Sequence, residues 1–204
     1  MDDLSMTQEI LPSPKRCFGN KPNQTLYADY HDNEWGTPCY DDKILFEFLI
    51  LEGAQAGLNW ETILKKRDGY RKAFHNFDVQ KVANMSDEDL TALVNDDRII
   101  RNRLKIFSVR KNAISFINIQ KEFGSFSNYL WNFVDQNPIH NHFDHIEDVP
   151  TQTDVSQFLS KDLKKRGMSF VGPTIMYAYM QAIGMVSDHL TWCWKYKASP
   201  EKVT

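Results

Sequence analysis

The amino-acid sequence predicts an all-α fold. Apolar residues recur at helical spacing along most of its 204 residues, and no run alternates apolar and polar side chains as a half-buried strand would. Hydrophobic residues make up 42% of the chain, which is enough for one sizeable core at this length. We therefore expect a single domain over residues 15–196, with loose tails at 1–14 and 197–204.

The predicted helices have recognisable starts and faces. Residues 43–51 (KILFEFLIL) are apolar nearly all round, which indicates a buried helix. Asn59 and Ser86 each precede a helical run and can cap it with a side-chain oxygen. The acidic residues after Ser86 suit the positive end of a helix. Further predicted helices cover 99–123, 126–134, a stretch from residue 154, and 174–185.

Residues 137–152 (NPIHNHFDHIEDVPTQ) interrupt the helical pattern, because two prolines bracket a polar stretch. Within it His140, His142 and His145 alternate around Asp144 and could bind a metal ion adventitiously. No cysteine lies near them in the sequence. We interpret this segment as a solvated polar loop.

Charge and composition narrow the class of protein. A formal net charge of −3 argues against a nonspecific nucleic-acid coat protein, but allows an enzyme with one local phosphate-binding patch. No apolar run reaches the length of a membrane span, and no signal peptide opens the sequence. The 3 cysteines are widely spaced, unlike those of a disulfide scaffold. We expect a monomeric cytoplasmic protein that does not bind membranes.

Residues 161–184 have the layout of a helix, a glycine-bounded turn and a second helix. Gly167 can end the first helix in the left-handed conformation, and Gly172 lets the backbone approach a partner closely. Pro173 suits the first position of the second helix, where the amides around Gly172 and Thr174 would form a phosphate site. This layout is that of a helix-hairpin-helix DNA-binding motif, although an ordinary helical hairpin with a solvated basic face would look alike. Nearby positive charge comes from Lys161, Lys164, Lys165 and Arg166.

Two pairs of residues could together bind a metal ion. His189 and Cys193 are four residues apart, so a helix would place both on one face. Cys17 and His31 could supply two more ligands, which would complete the closed Cys₂His₂ shell of a structural zinc. Such a site would tie the N-terminal segment to the last helix. Cys39 is left as a free thiol without a role.

Glu52 stands at the end of the apolar run 43–51 and is therefore expected to be at least partly buried. A buried carboxylate without a partner costs several kcal/mol or takes up a proton. Glu52 thus has either a structural partner or a functional role. Trp60 follows after Gly53 and Gly57, which suit a tight turn beside a ligand.

Several long strings make the sequence resemble the DNA-3-methyladenine glycosylase I family. The resemblance extends from about residue 16 to residue 193. It rests on YHDNEWG (30–36), on LEGAQAGLNW (51–60), and on ILKKR (63–67). It also rests on the hairpin 164–172 and on Asp188, His189 and Cys193.

The resemblance implies an all-helical member of the helix-hairpin-helix glycosylase superfamily with one structural zinc ion. The implied zinc ligands are Cys17, His31, His189 and Cys193. In the base pocket, Glu52 and Tyr30 would be the catalytic, hydrogen-bonding residues, and Trp60 and Tyr27 would stack on the base. The implied DNA contacts are Gln55, Gly57, Leu58, Lys165, Arg166, Gly167, Gly172 and Thr174.

The sequence departs from the family pattern at one place. Members often carry an aromatic residue shortly after the first zinc cysteine, in some of them two positions on, where this chain has Gly19. Phe18, directly after that cysteine, is a candidate for the same aromatic contact with the base.

The resemblance further implies a reaction. The enzyme would extrude 3-methyladenine from alkylated double-stranded DNA, hydrolyse its N-glycosidic bond and release the free methylated purine. No lysine is evidently placed as a Schiff-base nucleophile, so we expect a monofunctional enzyme that leaves an abasic site. Two alternatives stay open: a noncatalytic zinc-containing protein that binds damaged DNA, and a structural zinc module that binds protein partners.

Overall fold

The computed structural model describes residues 14–196, so the predicted tails lie almost entirely outside the described residues. Within that range the chain forms nine α-helices, three short 3₁₀ turns and one pair of two-residue strands, which confirms a predominantly helical fold. The helices are α1 (Thr25–Asn33), α2 (Asp42–Gln55), α3 (Trp60–Ala73), α4 (Val79–Ala83), α5 (Asp87–Leu93), α6 (Arg103–Phe123), α7 (Phe126–Trp131), α8 (Asp154–Lys165) and α9 (Pro173–Ala182). The 3₁₀ turns are His75–Phe77, Asn132–Val134 and Ile146–Asp148, and the strands are β1 (Ile139–His140) and β2 (Val186–Ser187).

The helices begin where the sequence predicts side-chain caps. The Asn59 side chain accepts a 2.7 Å hydrogen bond from the Glu61 amide at the start of α3. Ser86 and Asp89 form a reciprocal capping box at the start of α5. Because each cap supplies a partner for an amide that the helix cannot satisfy, both starts are explained by local sequence.

Helix α2 forms the centre of the core. Every residue from Leu45 to Ala54 is buried, and the helix packs against α3, α6, α7 and α9. This agrees with its apolar composition on all sides. The last turn of this central helix carries Glu52 into the interior.

Helix α6 is the longest helix and is amphipathic. Ile106, Ala113 and Phe116 face the core, whereas Leu104 and Ile114 are exposed. Over residues 14–196, none of the helices has the length and apolarity that a membrane crossing requires.

The prediction of no strands was wrong at one small place. β1 and β2 pair in parallel, with Ile139 opposite Val186 and His140 opposite Ser187. A two-residue strand is too short to show an alternating pattern, so the sequence carries no sign of it. The pairing joins the predicted loop 137–152 to the C-terminal segment.

Residues 188–193 are not helical, contrary to the prediction for His189 and Cys193. Helix α9 ends at Ala182, and Gly184 then adopts a φ of +70°. Beyond β2 the backbone bonds to the opposing segment: the Asn141 amide donates to the Ser187 carbonyl, and the Thr191 amide to the Phe143 carbonyl. These long-range bonds replace the intrahelical ones that the spacing suggested.

Candidate active site

A cavity of about 340 Å³ opens between α1, α2, α3, α9 and residues 146–151. Aromatic rings and polar side chains both line it. The predicted base-pocket residues all line this cavity, together with Gln55 and Thr174 from the predicted DNA contacts. Its lining residues are Phe18, Tyr27, Tyr30, Trp35, Glu52, Gln55, Trp60, Ile146, Val149, Pro150, Thr151, Thr174, Tyr177, Ala178, Gln181 and Asp188.

Glu52 reaches the cavity from the last turn of α2 and is only 3% exposed. Its Oε2 atom has no hydrogen-bond partner within residues 14–196. Burial raises the pKa of Glu52 to about 8. No structural partner among these residues therefore accounts for this oxygen, and a ligand in the cavity would supply one.

Trp60 is the second buried polar group without a partner. It is the first residue of α3, and its ring lies 5.5 Å from that of Tyr30 at an angle of 51°. Its Nε1 atom lacks an acceptor in the described part of the chain. Buried side-chain donors and acceptors are normally satisfied, so two such atoms in one cavity point to a polar ligand.

Phe18 belongs to the aromatic side of the cavity. Its ring stacks on Tyr27 at 4.4 Å and meets Trp35 edge to face at 5.0 Å. Gly19 has a φ of +77°, and a Cβ there would come within 2.7 Å of the Ala28 amide nitrogen. The backbone thus excludes a side chain at position 19, and Phe18 occupies the adjoining wall.

One face of α9 forms a wall that sequence reasoning missed in part. Thr174, Tyr177, Ala178 and Gln181 line the cavity at the spacing of neighbours on a helix surface. Polar residues recurring at that interval in an apolar helix were the available signal. Only Thr174 was predicted, and for a different role.

Asp188 is a second buried carboxylate in the cavity wall. It accepts hydrogen bonds from the Tyr177 hydroxyl at 2.6 Å, from Gln181 at 2.7 Å and from Asn141 at 2.7 Å. Both carboxylate oxygens of Asp188 therefore have protein donors, whereas Oε2 of Glu52 has none among residues 14–196.

The segment 146–151 also lines the cavity, through Ile146, Val149, Pro150 and Thr151. Ile146 is 56% exposed, so this part of the loop contacts solvent as well, and its contribution to the cavity was not predicted. The histidines upstream do not gather into a metal site within residues 14–196. His142 instead contacts the Tyr196 hydroxyl at 2.5 Å.

Cys17, His31, His189 and Cys193 come together, with all four ligand atoms within 4.8 Å of one another. Cys193 Sγ lies 3.3 Å from His31 Nε2 and 3.6 Å from His189 Nδ1, and Cys17 Sγ lies 3.8 Å from His189 Nδ1. Zinc–sulfur and zinc–nitrogen bonds at the tetrahedral angle would separate S and N by about 3.6 Å. The donor set and its spacing therefore fit zinc.

The remaining ring nitrogens of both histidines have partners. His31 Nδ1 contacts the Asp32 carboxylate at 2.9 Å, and His189 Nε2 contacts the Trp35 carbonyl at 3.3 Å. Such outer contacts fix the ring orientation of metal-binding histidines. A Cβ on Gly36 would lie 2.8 Å from His189 Nε2, so glycine is required there.

The Asp32 carboxylate is itself held in place. Arg16 donates to both of its oxygens, at 2.6 to 2.9 Å, and Trp194 Nε1 donates at 3.1 Å. Burial raises the pKa of Asp32, but the hydrogen bonds from Arg16, His31 and Trp194 outweigh it and lower the pKa to about 2.

The cluster adjoins the cavity directly. Tyr30 and Asp188 line the cavity, and each precedes a cluster histidine in the chain. Trp35 lines the cavity and also contacts His189 edge to face at 4.6 Å. Anything that orders the cluster therefore orders these three wall residues as well.

The predicted DNA contacts outside the cavity lie on the exposed turn after α2 and on the partly buried turn between α8 and α9, with Lys165 at the end of α8. Gly57 has a φ of +79° with open space around it, and Leu58 next to it is 41% exposed. Gly167 has a φ of +96° at the end of α8. Gly172 precedes Pro173 at the start of α9, and a Cβ added to it would meet no atom within 4 Å. Lys165 is exposed.

Arg166 is an exception among the predicted DNA contacts. Its guanidinium pairs with Glu122 and with Asp162, each at 2.6 Å, and lies 5.1 Å from the Tyr129 ring. These partners belong to the protein itself, so Arg166 joins α8 to α6. Its contact with DNA stays a prediction.

The predominantly helical fold thus encloses an aromatic cavity with an unsatisfied buried carboxyl, which is the site of a small-molecule-binding protein. Its volume of about 340 Å³ lies at the lower end of the range for small-molecule pockets. The comparisons with known proteins identify the family.

A sequence model of the methyladenine glycosylase family matches residues 20–196. The DNA-3-methyladenine glycosylase of Haemophilus influenzae is 48% identical over 170 residues, covering 83% of this chain and 92% of that protein. DNA-3-methyladenine glycosylase 1 of Escherichia coli is 47% identical over 182 residues, covering 89% and 97%. The chain belongs to the methyladenine glycosylase family.

Solved structures of 3-methyladenine DNA glycosylase I are similar to this chain in fold, in agreement with its family. A crystal structure of 3-methyladenine DNA glycosylase I superposes with a TM-score of 0.86 at 44% identity, covering 90% of this chain and all of the other. A Staphylococcus aureus 3-methyladenine DNA glycosylase I, solved to explain how it recognises 3-methyladenine, gives a TM-score of 0.84 at 37% identity, with 89% and 95% covered.

Proposed function

We propose that the protein is a monofunctional DNA glycosylase that hydrolyses the N-glycosidic bond of 3-methyladenine in alkylated DNA. The products would be the free base and an abasic site. The observation that carries this proposal is that Glu52 Oε2 and Trp60 Nε1, two of the three unpartnered buried side-chain atoms in residues 14–196, belong to residues of one aromatic cavity. Its family membership supports the same reaction.

Charge explains the choice of base. Methylation at N3 makes adenine in DNA a cationic ring and a good leaving group. The faces of Trp60 and Tyr27 attract such a ring, whereas a neutral purine gains less from them. A cation beside Glu52 also favours the ionised carboxylate, which burial disfavours in the empty cavity. Binding the damaged base and ionising Glu52 thus reinforce each other.

The same carboxylate would assist the bond cleavage. Glu52 accepts a hydrogen bond from the exocyclic amine of the base, and Tyr30 fixes its orientation. The negative charge favours the positively charged transition state that forms as the bond to the sugar breaks. The electron pair of the broken bond leaves with the base, which departs as a neutral purine, and water adds to C1′ of the sugar with loss of a proton to solvent. No lysine stands among the cavity-lining residues of the described chain, which supports hydrolysis without strand cleavage.

A base inside a duplex has to leave the stack before it can enter the cavity. Leu58, exposed on the turn beside the cavity, would fill the space that the base vacates, with Gln55 at the cavity edge. The turn between α8 and α9 would hold phosphates through the free amides at the start of α9. Gly172 permits close approach there because nothing fills the space above it.

Zinc would occupy the site formed by Cys17, His31, His189 and Cys193. Four protein ligands would fill its coordination shell, so its contribution would be structural. In the reaction the residues of the cluster would act indirectly, because Tyr30, Trp35 and Asp188 depend on them for position.

The test is release of purine from methylated duplex DNA, with the freed base identified by chromatography. Glu52→Gln is expected to lower the rate by about 100-fold, because the neutral amide loses the charge that favours the transition state. Glu88→Gln, on the exposed start of α5, is the control and should act at the wild-type rate. Full activity of Glu52→Gln would remove Glu52 from this role.

The same assay separates the alternative functions. A noncatalytic protein for damaged DNA would bind the methylated duplex and release no base. A structural zinc module would show no salt-dependent DNA affinity at all.

A further inference from the structure

The turn that carries Leu58 is held by a side chain from a distant part of the sequence. Helix α2 ends at Gln55, and its terminal carbonyl groups have no partner inside the helix. Lys105 Nζ donates to the Ala54 and Ala56 carbonyl oxygens, each at 2.8 Å. A positive group at this end is also favoured by the helix dipole. Lys105 therefore closes the end of α2 and begins the turn to Leu58.

The helix that carries Lys105 also holds the turn between α8 and α9. Asn112 exchanges two hydrogen bonds with the backbone of Ser169, both at 2.9 Å. Ser115 donates to the Arg166 carbonyl at 2.9 Å. Both turns are thus bound to α6, over positions that span about 15 Å along the helix axis.

The last turn of α2 also lies against the turn between α8 and α9. A Cβ on Gly53 would meet the Cβ of Phe170 at 3.3 Å, so these two backbone segments pack closely. Phe170 holds a φ of +58°, which is costly for a residue with a side chain. A small cavity lined by Gly53, Lys105, Asn112 and Phe170 marks this junction. This small cavity shares no lining residue with the base cavity, so the contacts around Lys105 are separate from the base-binding site.

We propose that Lys105 is a positioning residue for base extrusion, because it holds the Gln55–Leu58 turn at a fixed place relative to the turn between α8 and α9. This rests on the proposed function, in which one turn enters the duplex and the other holds its phosphates. Lys105 acts through the backbone of Ala54 and Ala56 and does not line the base cavity. Its loss should therefore impair opening of the duplex and leave binding of the free base intact.

The experiment uses an oligonucleotide with a single adenine, methylated and annealed to two different strands. In one duplex the lesion is fully paired, and in the other it faces an abasic-site analogue, which lowers the cost of extrusion. Lys105→Met should reduce single-turnover purine release from the paired duplex by about tenfold or more, and from the other duplex by less than about threefold. Lys105→Gln, which keeps one donor, should fall between Lys105→Met and wild type.

Two controls separate positioning from general damage. Lys121→Met removes an exposed lysine from the last turn of the same helix and should match wild type on both duplexes. The affinity for free 3-methyladenine, followed by tryptophan fluorescence, should be unchanged within about twofold in every variant. Equal losses on both duplexes, or a paired-duplex rate within about twofold of wild type, would overturn the role of Lys105. If wild-type protein releases no purine from either duplex, the proposed function itself fails.

Discussion

Glu52 is kept in the interior at a cost to the folded protein. Its pKa of about 8 lies well above the value of 4.5 for an exposed glutamic acid, because burial disfavours the charged form. The folded protein therefore holds a proton that the unfolded chain releases between these two pH values. Stability from this group is fully present below about pH 4.5 and is lost as the pH rises towards 8.

Replacement of Glu52 by glutamine should expose this cost. Glutamine does not titrate, so Glu52→Gln should gain stability over wild type on going from about pH 5 to about pH 9, by an amount on the order of 4 kcal/mol. Urea unfolding of both proteins at the two pH values measures the difference. A gain that is the same at both pH values would show that Glu52 is not the buried acid described here.

The sequence pointed to Glu52 and not to Asp188, and the contacts of the two carboxylates explain why. Glu52 ends a run of nine mostly apolar residues, so its burial can be read from its neighbours in the chain. Asp188 is buried by Tyr177, Gln181 and Asn141, which come from α9 and from the segment that follows β1. Partners that meet only in the folded chain leave no local pattern.

Among the secondary-structure elements, the turn between α8 and α9 contains two glycines with different requirements. Gly167 needs its φ of +96°, and a Cβ there would also meet Ser115 Oγ at 3.4 Å. Gly172 has an ordinary φ of −64° and empty space around it. Gly167 is therefore required by the backbone conformation of the turn, whereas Gly172 leaves room for a binding partner.

Alanine at each position should separate these two requirements. Gly167→Ala is expected to lower the free energy of unfolding by about 1 kcal/mol or more, since alanine resists that conformation. Gly172→Ala should leave stability unchanged or slightly raised, and should weaken binding to duplex DNA. Thermal unfolding and a DNA titration at fixed salt give both readings. If Gly172→Ala bound DNA as well as wild type, close backbone approach at this turn would be excluded.

Helix starts were easier to predict than helix ends and connections. Asn59 and Ser86 cap their helices through residues two and three positions away, so the signal is local. The end of α9 at Ala182 instead follows from Gly184, whose backbone lies against Thr37 and Pro38. The end of α9 is thus determined by the close approach of two segments that are distant in the sequence. Neither segment by itself carries a sequence signal for this helix end.

At the scale of the whole molecule, the resemblance to the glycosylase family implied the four residues that form the metal cluster. The spacing of His189 and Cys193 suggested a helix, and no helix forms there. The sequence did not predict that residues 146–151 line the cavity, because a polar stretch bracketed by prolines is typical of exposed loops. The β1–β2 pairing, which precedes this segment and joins it to the C-terminal part of the chain, is only two residues long.

Removal of a cluster ligand should lower the stability of the whole domain. If free zinc stands at about 1,000 times its dissociation constant, loss of binding lowers the free energy of unfolding by about 4 kcal/mol. For a protein of this size the Tm of Cys193→Ser should then fall by roughly 8–16 °C. Cys39→Ser is the matched control, because Cys39 lies outside the cluster. An unchanged Tm and metal content in Cys193→Ser would refute the zinc assignment.

The cluster also brings the two ends of the described chain side by side: the Trp194 amide donates to the Lys15 carbonyl at 3.1 Å. A short peptide could therefore join these ends without disturbing the fold, and the chain could begin instead at an exposed turn elsewhere. Such a circular permutant would keep the pocket intact. The order of the segments along the chain would change, whereas the residues that line the cavity would stay the same.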